Sequence, residues 1–167
     1  MSSRPPHPAC PPTDNTAPDV STSTNAITKE GNTLGGADGI SFTCTATDNV
    51  DTNLNVVTTY SPAAPSTSGV YPVGTTVATC TATDKSGNSA SKTITITVTD
   101  TIAPAITVPS PASVYASASG TAAVTWSAVT ATDIVVGAVT PSCDYASGDS
   151  FPFGSTTVTC TASDGTN

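Results

Sequence analysis

The chain has 167 residues and a formal net charge of −8, and serine and threonine make up about a third of it. Its four cations, Arg4, Lys29, Lys85 and Lys92, are too few to neutralise a row of phosphates, so the composition excludes nucleic acid as a partner. No apolar run approaches the roughly 20 residues of a membrane-spanning helix, so we expect no membrane insertion.

Residues 1–13 form a proline-rich lead that we expect to be disordered, because proline has no N–H group to donate to a strand ladder. The lead contains His7, which is the only histidine, and Cys10. It lacks the apolar core of a secretory signal, so we expect this segment to be partial or already processed.

After the lead, short runs alternate between apolar and polar residues, which is typical of half-buried strands. In chain order, the residues that share an apolar face are Ile40, Phe42 and Cys44, then Ile94, Ile96 and Val98, then Val124 and Trp126, and finally Val158, Cys160 and Ala162. Turn-forming Gly, Pro, Asp and Asn separate these runs, and helical periodicity is missing. The pattern predicts an all-β chain of antiparallel sandwiches.

Three anchor motifs occur twice. The stretch "YPVGTTVATCTATD" at 71–84 returns as "FPFGSTTVTCTASD" at 151–164. The other anchors are "TDNTAPDV" at 13–20 with "TDTIAPAI" at 99–106, and "CTATD" at 44–48 with "VTATD" at 129–133. The duplication predicts two tandem domains, 14–98 and 99–167.

The run from "VTWSAVTATD" to "FPFGSTTVTCTASDG", and the ending "YPVGTTVATCTATDKSGNSASKTITITVTD", resemble the hyalin repeat (HYR) domain. This family is an immunoglobulin-like module of extracellular and adhesion proteins. The resemblance implies tandem immunoglobulin-like antiparallel β-sandwiches, an extracellular or cell-surface location, and contact with protein partners or neighbouring repeats. It also implies that Trp126 belongs to the buried core; a sugar-stacking platform is the alternative interpretation.

The five cysteines show no C-x-x-C or histidine-rich spacing, so disulfides in an oxidising compartment are favoured over a zinc site. Reduced buried thiols are the alternative. The resemblance implies a bond between Cys143 and Cys160. Cys44 and Cys80 both face inward, at the positions of an immunoglobulin-type bridge between sheets, so we expect them to be bonded. Cys10 is left unpaired within this chain.

Five acids lie at predicted turns: Asp48, Asp51, Asp84, Asp133 and Asp164. We favour the interpretation that each caps its own turn, because no D-x-D-x-D-G loop is present. The alternative is a calcium site near the domain boundary, where Asp100 would bind together with acids from the turns of both domains, Asp48 and Asp51 among them. The sequence indicates no other cofactor.

Catalysis is not expected, because the chain has one histidine, one glutamate (Glu30), no phosphate-binding glycine loop and no nucleophile elbow. We predict a non-catalytic extracellular adhesion or structural module. The short linker around Pro104 favours a semi-rigid rod. Two alternatives are a subunit of an extracellular filament assembled by strand exchange, and a passive spacer within a large secreted enzyme.

The two copies differ at their ends. In the first, "SASKTITITVTD" follows the shared turn and supplies a final strand, whereas three residues follow the second copy of the motif. This difference predicts an open sheet edge in 99–167, through which the chain could self-associate. It also predicts faster hydrogen exchange in 99–167 than in 14–98.

Overall fold

The computed structural model describes residues 13–115 and 120–167, so residues 1–12 of the proline-rich lead, with His7 and Cys10, lie outside the described residues. Within these two ranges the structure consists of strands, turns and loops, with no helix and therefore no helix that could span a membrane. The paired strands whose register is defined are antiparallel. The all-β, immunoglobulin-like class predicted from the sequence is confirmed.

The first repeat contains the longest strands. Its strands are β1 (Asp19–Thr22), β2 (Ala26–Glu30), β3 (Gly36–Ala37), β4 (Cys44–Thr47), β5 (Val56–Ser61), β6 (Tyr71–Pro72), β7 (Gly74–Thr83) and β8 (Ser89–Thr99). A four-stranded sheet has the order β2-β8-β7-β5, while β1 pairs with β4 and β3 pairs with β6. The two central strands, β7 and β8, are therefore hydrogen-bonded on both sides.

The second repeat has shorter strands. They are β9 (Ala105–Thr107), β10 (Thr121–Ala123), β11 (Thr130–Asp133), β12 (Gly137–Val139), β13 (Ser142–Cys143), β14 (Ser150–Pro152) and β15 (Cys160–Thr161). They form the sheets β12-β11-β9, β10-β14 and β13-β15. The strand β15 carries the same motif as β7, but its neighbour in the described residues is β13 alone.

The core follows the alternation that the sequence predicts. Along β8, Ile94 and Ile96 are fully buried and Val98 is nearly so, while Thr93 and Thr95 are exposed and Thr97 is half-buried. Along β7, every second residue is buried, namely Thr76, Ala78, Cys80 and Ala82. Because side chains alternate between the two faces of a strand, threonine can cover one face while small apolar residues fill the other.

The described residues divide into two compact units: the first contains 13–27, 41–64 and 76–96, and the second contains 28–40, 65–75, 97–115 and 120–167. Close backbone packing in the second unit depends on two buried glycines. A Cβ atom at Gly31 would lie 2.4 Å from Cγ2 of Val135, and one at Gly36 would lie 1.8 Å from the carbonyl oxygen of Tyr71. Only glycine fits at such distances.

Candidate metal centres

Three carboxylates of the second unit meet where chain segments leave their strands. Asp100 directly follows β8, Asp133 ends β11, and Asp164 lies three residues after β15. One ligand oxygen from each of them lies within 4.8 Å of the other two. Asp100 and Asp133 are only 6% and 8% exposed, so this cluster is largely removed from solvent.

In this cluster, one oxygen of each of two aspartates closes a local turn. Asp133 Oδ1 accepts hydrogen bonds from the amides of Val135 (2.7 Å) and Val136 (2.8 Å). Asp164 Oδ1 accepts from the amides of Thr166 (2.6 Å) and Asn167 (2.7 Å). These are the local side-chain-to-backbone bonds by which aspartate stabilises turns.

The remaining oxygens have no hydrogen-bond partner. Asp100 Oδ1, Asp133 Oδ2 and Asp164 Oδ2 are all buried and unpaired. Burial raises the pKa of Asp100, and the negative charges of Asp133 and Asp164 raise it further. The amides of Asn167 and Thr166 hold the pKa of Asp164 below its ordinary value. The local turns therefore bond one oxygen each of Asp133 and Asp164, and three carboxylate oxygens of the cluster stay buried without a hydrogen-bond partner, which is energetically unfavourable.

The first unit repeats this arrangement with Asp14, Asp48 and Asp84, whose ligand oxygens also lie within 4.8 Å of one another. Asp48 Oδ1 accepts from the amides of Asp51 and Val50, both at 2.9 Å, and these bonds, the one from Asp51 first, lower the pKa of Asp48. Oδ2 of Asp14 and Oδ2 of Asp48 are buried without a partner.

An asparagine amide holds the entering chain segment in both clusters. Nδ2 of Asn88 donates to the carbonyl oxygen of Asp14 (3.1 Å), and Nδ2 of Asn167 donates to that of Asp100 (2.9 Å). Asn88 also donates two hydrogen bonds to the carboxylate of Asp84. Its backbone amide lies 2.8 Å from Oδ1, and its Nδ2 lies 2.7 Å from Oδ2. The two clusters thus share three aspartates and a supporting asparagine, but both carboxylate oxygens of Asp84 are bonded, whereas Oδ2 of Asp164 is not.

Asp100, Asp48 and Asp51 were candidate ligands of one calcium site in the sequence, and the structure places them apart. Asp100 belongs to the second cluster and Asp48 to the first. Asp51 is engaged by Lys85, whose Nζ lies 2.9 Å from Oδ1 and whose amide donates to Oδ2 at 2.9 Å. Asp14 was not among the candidates from the sequence, although its anchor motif aligns it with Asp100.

Glu30, at the end of β2, holds the segment that follows β8. Its Oε2 accepts from Oγ1 of Thr99 (2.8 Å), and its Oε1 accepts from the amide of Thr101 (2.6 Å). These bonds, led by the one from the Thr101 amide, place the pKa of Glu30 below its ordinary value of 4.5. The ionised form is therefore stabilised in the folded state.

This pKa shift predicts a specific pH dependence. Because the folded-state pKa of Glu30 is depressed, its contribution to the free energy of unfolding is present above pH 4.5 and is lost as the pH falls through the folded-state value. We expect Glu30→Gln to lower the melting temperature at neutral pH, and the difference from wild type to shrink as the pH falls below 4.5. Thermal unfolding followed by circular dichroism at several pH values measures this. A difference that stays constant across the acidic range would contradict it.

The structure contains two disulfides, Cys44–Cys80 and Cys143–Cys160, the same two pairs expected from the sequence. The first joins β4 to β7, which belong to different sheets, and the second joins directly paired residues of β13 and β15. Trp126 is half-buried, with its ring 6.0 Å from that of Phe151. Cys10 lies outside the described residues.

Comparison with protein families places both repeats. The family model of the HYR domain matches residues 13–98 and again residues 99–167, which together cover almost the whole chain. The chain belongs to the HYR domain family. Searches of curated proteins and of solved structures found no match. The cluster of Asp14, Asp48 and Asp84 therefore lies within the first HYR match, and that of Asp100, Asp133 and Asp164 lies within the second.

Membership in this family indicates the general class of protein to which the repeats belong. HYR domains are extracellular, adhesion-type repeats and form a non-enzymatic module family. The two disulfides fit a secreted protein, because such bonds persist in oxidising compartments.

Proposed function

We propose that the chain is a non-catalytic extracellular adhesion or structural module whose two HYR repeats act as a semi-rigid rod segment in protein–protein contact. The observation that carries this proposal is the restrained linker between β8 and β9. Five residues, 100–104, connect Thr99 at the end of β8 to Ala105 at the start of β9. So short a connection limits the motion of one repeat against the next.

The linker is also held along its length. The carboxylate of Glu30 accepts hydrogen bonds from the side chain of Thr99 and from the backbone amide of Thr101. The side-chain amide of Asn167 donates a hydrogen bond to the carbonyl oxygen of Asp100. Pro104 restricts the last linker position, because its ring fixes φ. Since Glu30 comes from the first repeat and Asn167 from the second, residues of both repeats restrain the same short segment. These contacts support a stiff connection.

The described residues also support the absence of catalysis. Glu30 uses both carboxylate oxygens to hold the linker, so it is not free to act as a general base. Cys44, Cys80, Cys143 and Cys160 are in disulfides and offer no thiolate nucleophile. The only histidine of the chain lies in the proline-rich lead. Serine hydroxyls without an adjacent base are weak nucleophiles.

Small-angle X-ray scattering tests the rod. The scattering curve of the wild-type chain should be described by conformers whose maximum dimensions fall within a narrow range. A reference variant with Gly-Gly-Ser inserted between Ile102 and Ala103 should fit a broader one, because glycine-rich linkers are flexible. A wild-type chain that needs an ensemble as broad as that of the insertion variant would contradict the semi-rigid rod.

Bead clustering tests adhesion between neighbouring modules. Beads coated with the chain should cluster, whereas beads coated with albumin at the same density should stay dispersed. Coated beads that remain dispersed over a wide range of coating densities would contradict adhesion between copies of the module while leaving the scattering result intact.

Assembly into a filament by strand exchange is the second candidate, and one observation favours it. The second repeat has an open groove of about 730 Å³ lined by Val124, Trp126, Phe151 and Val158, with the side chain of Phe153 76% exposed at its rim. A strand from a second copy would bury this apolar surface. Light scattering would then show an average molecular mass that grows steadily with protein concentration. Contacts that act only through many copies on one bead would leave the mass of the free chain unchanged.

A further inference from the structure

We propose that the cluster of Asp100, Asp133 and Asp164 binds a calcium ion. Two of its aspartates are more than nine-tenths buried, and both have an unpaired oxygen, Oδ1 of Asp100 and Oδ2 of Asp133. Oδ2 of Asp164 is buried and unpaired in the same way. A buried carboxylate oxygen without a partner is unfavourable, and three in one place indicate that a cation completes the arrangement.

In the part of the chain that the structure describes, no lysine or arginine side chain forms an ion pair with these three aspartates. The one ion pair found there joins Lys85 to Asp51. The local turns do not bond the unpaired oxygens either, because the amides of Val135, Val136, Thr166 and Asn167 bond the opposite oxygens of Asp133 and Asp164. The turns orient the carboxylates and leave their second oxygens available to an ion.

The ligand chemistry favours calcium among the common cations. All three ligands are carboxylate oxygens, with no histidine or thiolate, and zinc prefers the latter two. Two oxygens bound to the same calcium ion at about 2.3–2.6 Å can be at most about 5 Å apart, and the ligand oxygens here lie within 4.8 Å of one another. Magnesium usually takes one or two carboxylates and keeps several waters, so three converging carboxylates suit calcium better.

The ion would join three segments that are distant in the sequence. Asp100 follows the last strand of the first repeat, Asp133 ends β11, and Asp164 follows β15. Binding would therefore fasten the linker to two loops of the second repeat. The equivalent cluster of Asp14, Asp48 and Asp84 in the first repeat shows that the arrangement accompanies the repeat and is not confined to one junction.

Nuclear magnetic resonance provides a site-specific test with the full chain. During titration with CaCl₂ to about 10 mM, a range that covers the affinities of extracellular calcium modules, the amide signals of Val135, Val136, Thr166 and Asn167 should shift and saturate. These amides bond the proposed ligands directly. Signals that do not move over this range would overturn the proposal.

Two variants separate binding from general charge attraction. Asp133→Asn keeps an Oδ1 that can accept the turn hydrogen bonds but removes the ligand charge, and it should weaken calcium binding by at least about tenfold. Asp149→Asn removes the same charge from an exposed turn of the same repeat and should leave binding unchanged. Equal weakening by both variants would show diffuse attraction and overturn the site. If Asp133→Asn does not fold, Asp164→Asn provides the same comparison.

The same titration with magnesium tests whether the site prefers calcium. MgCl₂ at equal concentration should produce smaller shifts at these four amides, because magnesium gives up its hydration waters reluctantly. Saturation by magnesium at a lower concentration than by calcium would overturn the choice of ion. Neither result bears on the rod, which the scattering experiment tests separately.

Discussion

Replacing both Cys44 and Cys80 by alanine is expected to lower the free energy of unfolding of the first repeat by about 4 kcal/mol. The bond closes a loop of 36 residues, which restricts the unfolded chain and so destabilises the unfolded state. It also joins strands of two different sheets, and Cys80 is fully buried among small residues of β7. Few large apolar side chains are available to compensate for its loss.

Urea denaturation followed by circular dichroism measures this loss, in a Cys10→Ser background that avoids thiol exchange. The matched comparison replaces Cys143 and Cys160, whose loop of 17 residues should give a smaller loss of about 3 kcal/mol. Alkylation and intact mass should show four oxidised cysteines in the parent protein. A loss below about 1 kcal/mol for the Cys44/Cys80 variant would contradict a stabilising bridge.

Replacing Ile96 by alanine is expected to cost about 2–5 kcal/mol, because the side chain is fully buried in the middle of β8 and its removal leaves a cavity. The adjacent Thr95→Ala is the control, since its side chain is exposed on the other face of the same strand. That change should stay within about 1 kcal/mol, the span of strand propensities. Denaturant midpoints measure both. Similar losses for the two variants would contradict the assignment of a single buried face.

The fold was predictable where the alternating pattern is long and the strand has neighbours. The run "KTITITVT" falls within β8, and its predicted apolar residues are the buried ones. In "STTVTCTASD" the strand is limited to β15, Cys160–Thr161, although the pattern is similar. The physical difference is pairing: β7 lies between β5 and β8, whereas β15 pairs with β13. Periodicity predicts which face is buried, but hydrogen-bonded neighbours determine how far a strand extends.

The clusters were only partly predictable. The turn-capping role of Asp48, Asp133 and Asp164 follows from local chemistry, and the structure shows hydrogen bonds of this kind for each of them. Their convergence with Asp14 and Asp100 depends on three loops meeting after folding, which spacing alone does not reveal. One signal was present in the sequence: each of the three repeated anchors contains an aspartate of the cluster in both copies.

Asp51 shows why proximity in sequence was misleading. It lies three residues after Asp48 in a turn rich in oxygen ligands, yet its carboxylate is taken by Lys85. Lys85 is the residue that follows Asp84, so a cation next to one cluster member removes a neighbouring acid from the cluster. Such an exchange of partners is decided by side-chain geometry in the folded chain, which composition does not encode.

A crystal structure of the chain grown with calcium, with anomalous data collected at long wavelength, tests the carboxylate centre most directly. The predicted result is an anomalous peak about 2.3–2.6 Å from one oxygen each of Asp100, Asp133 and Asp164. Crystals of Asp133→Asn under the same conditions should lack this peak. A wild-type structure without an anomalous peak between these three carboxylates at saturating calcium would contradict the proposed site.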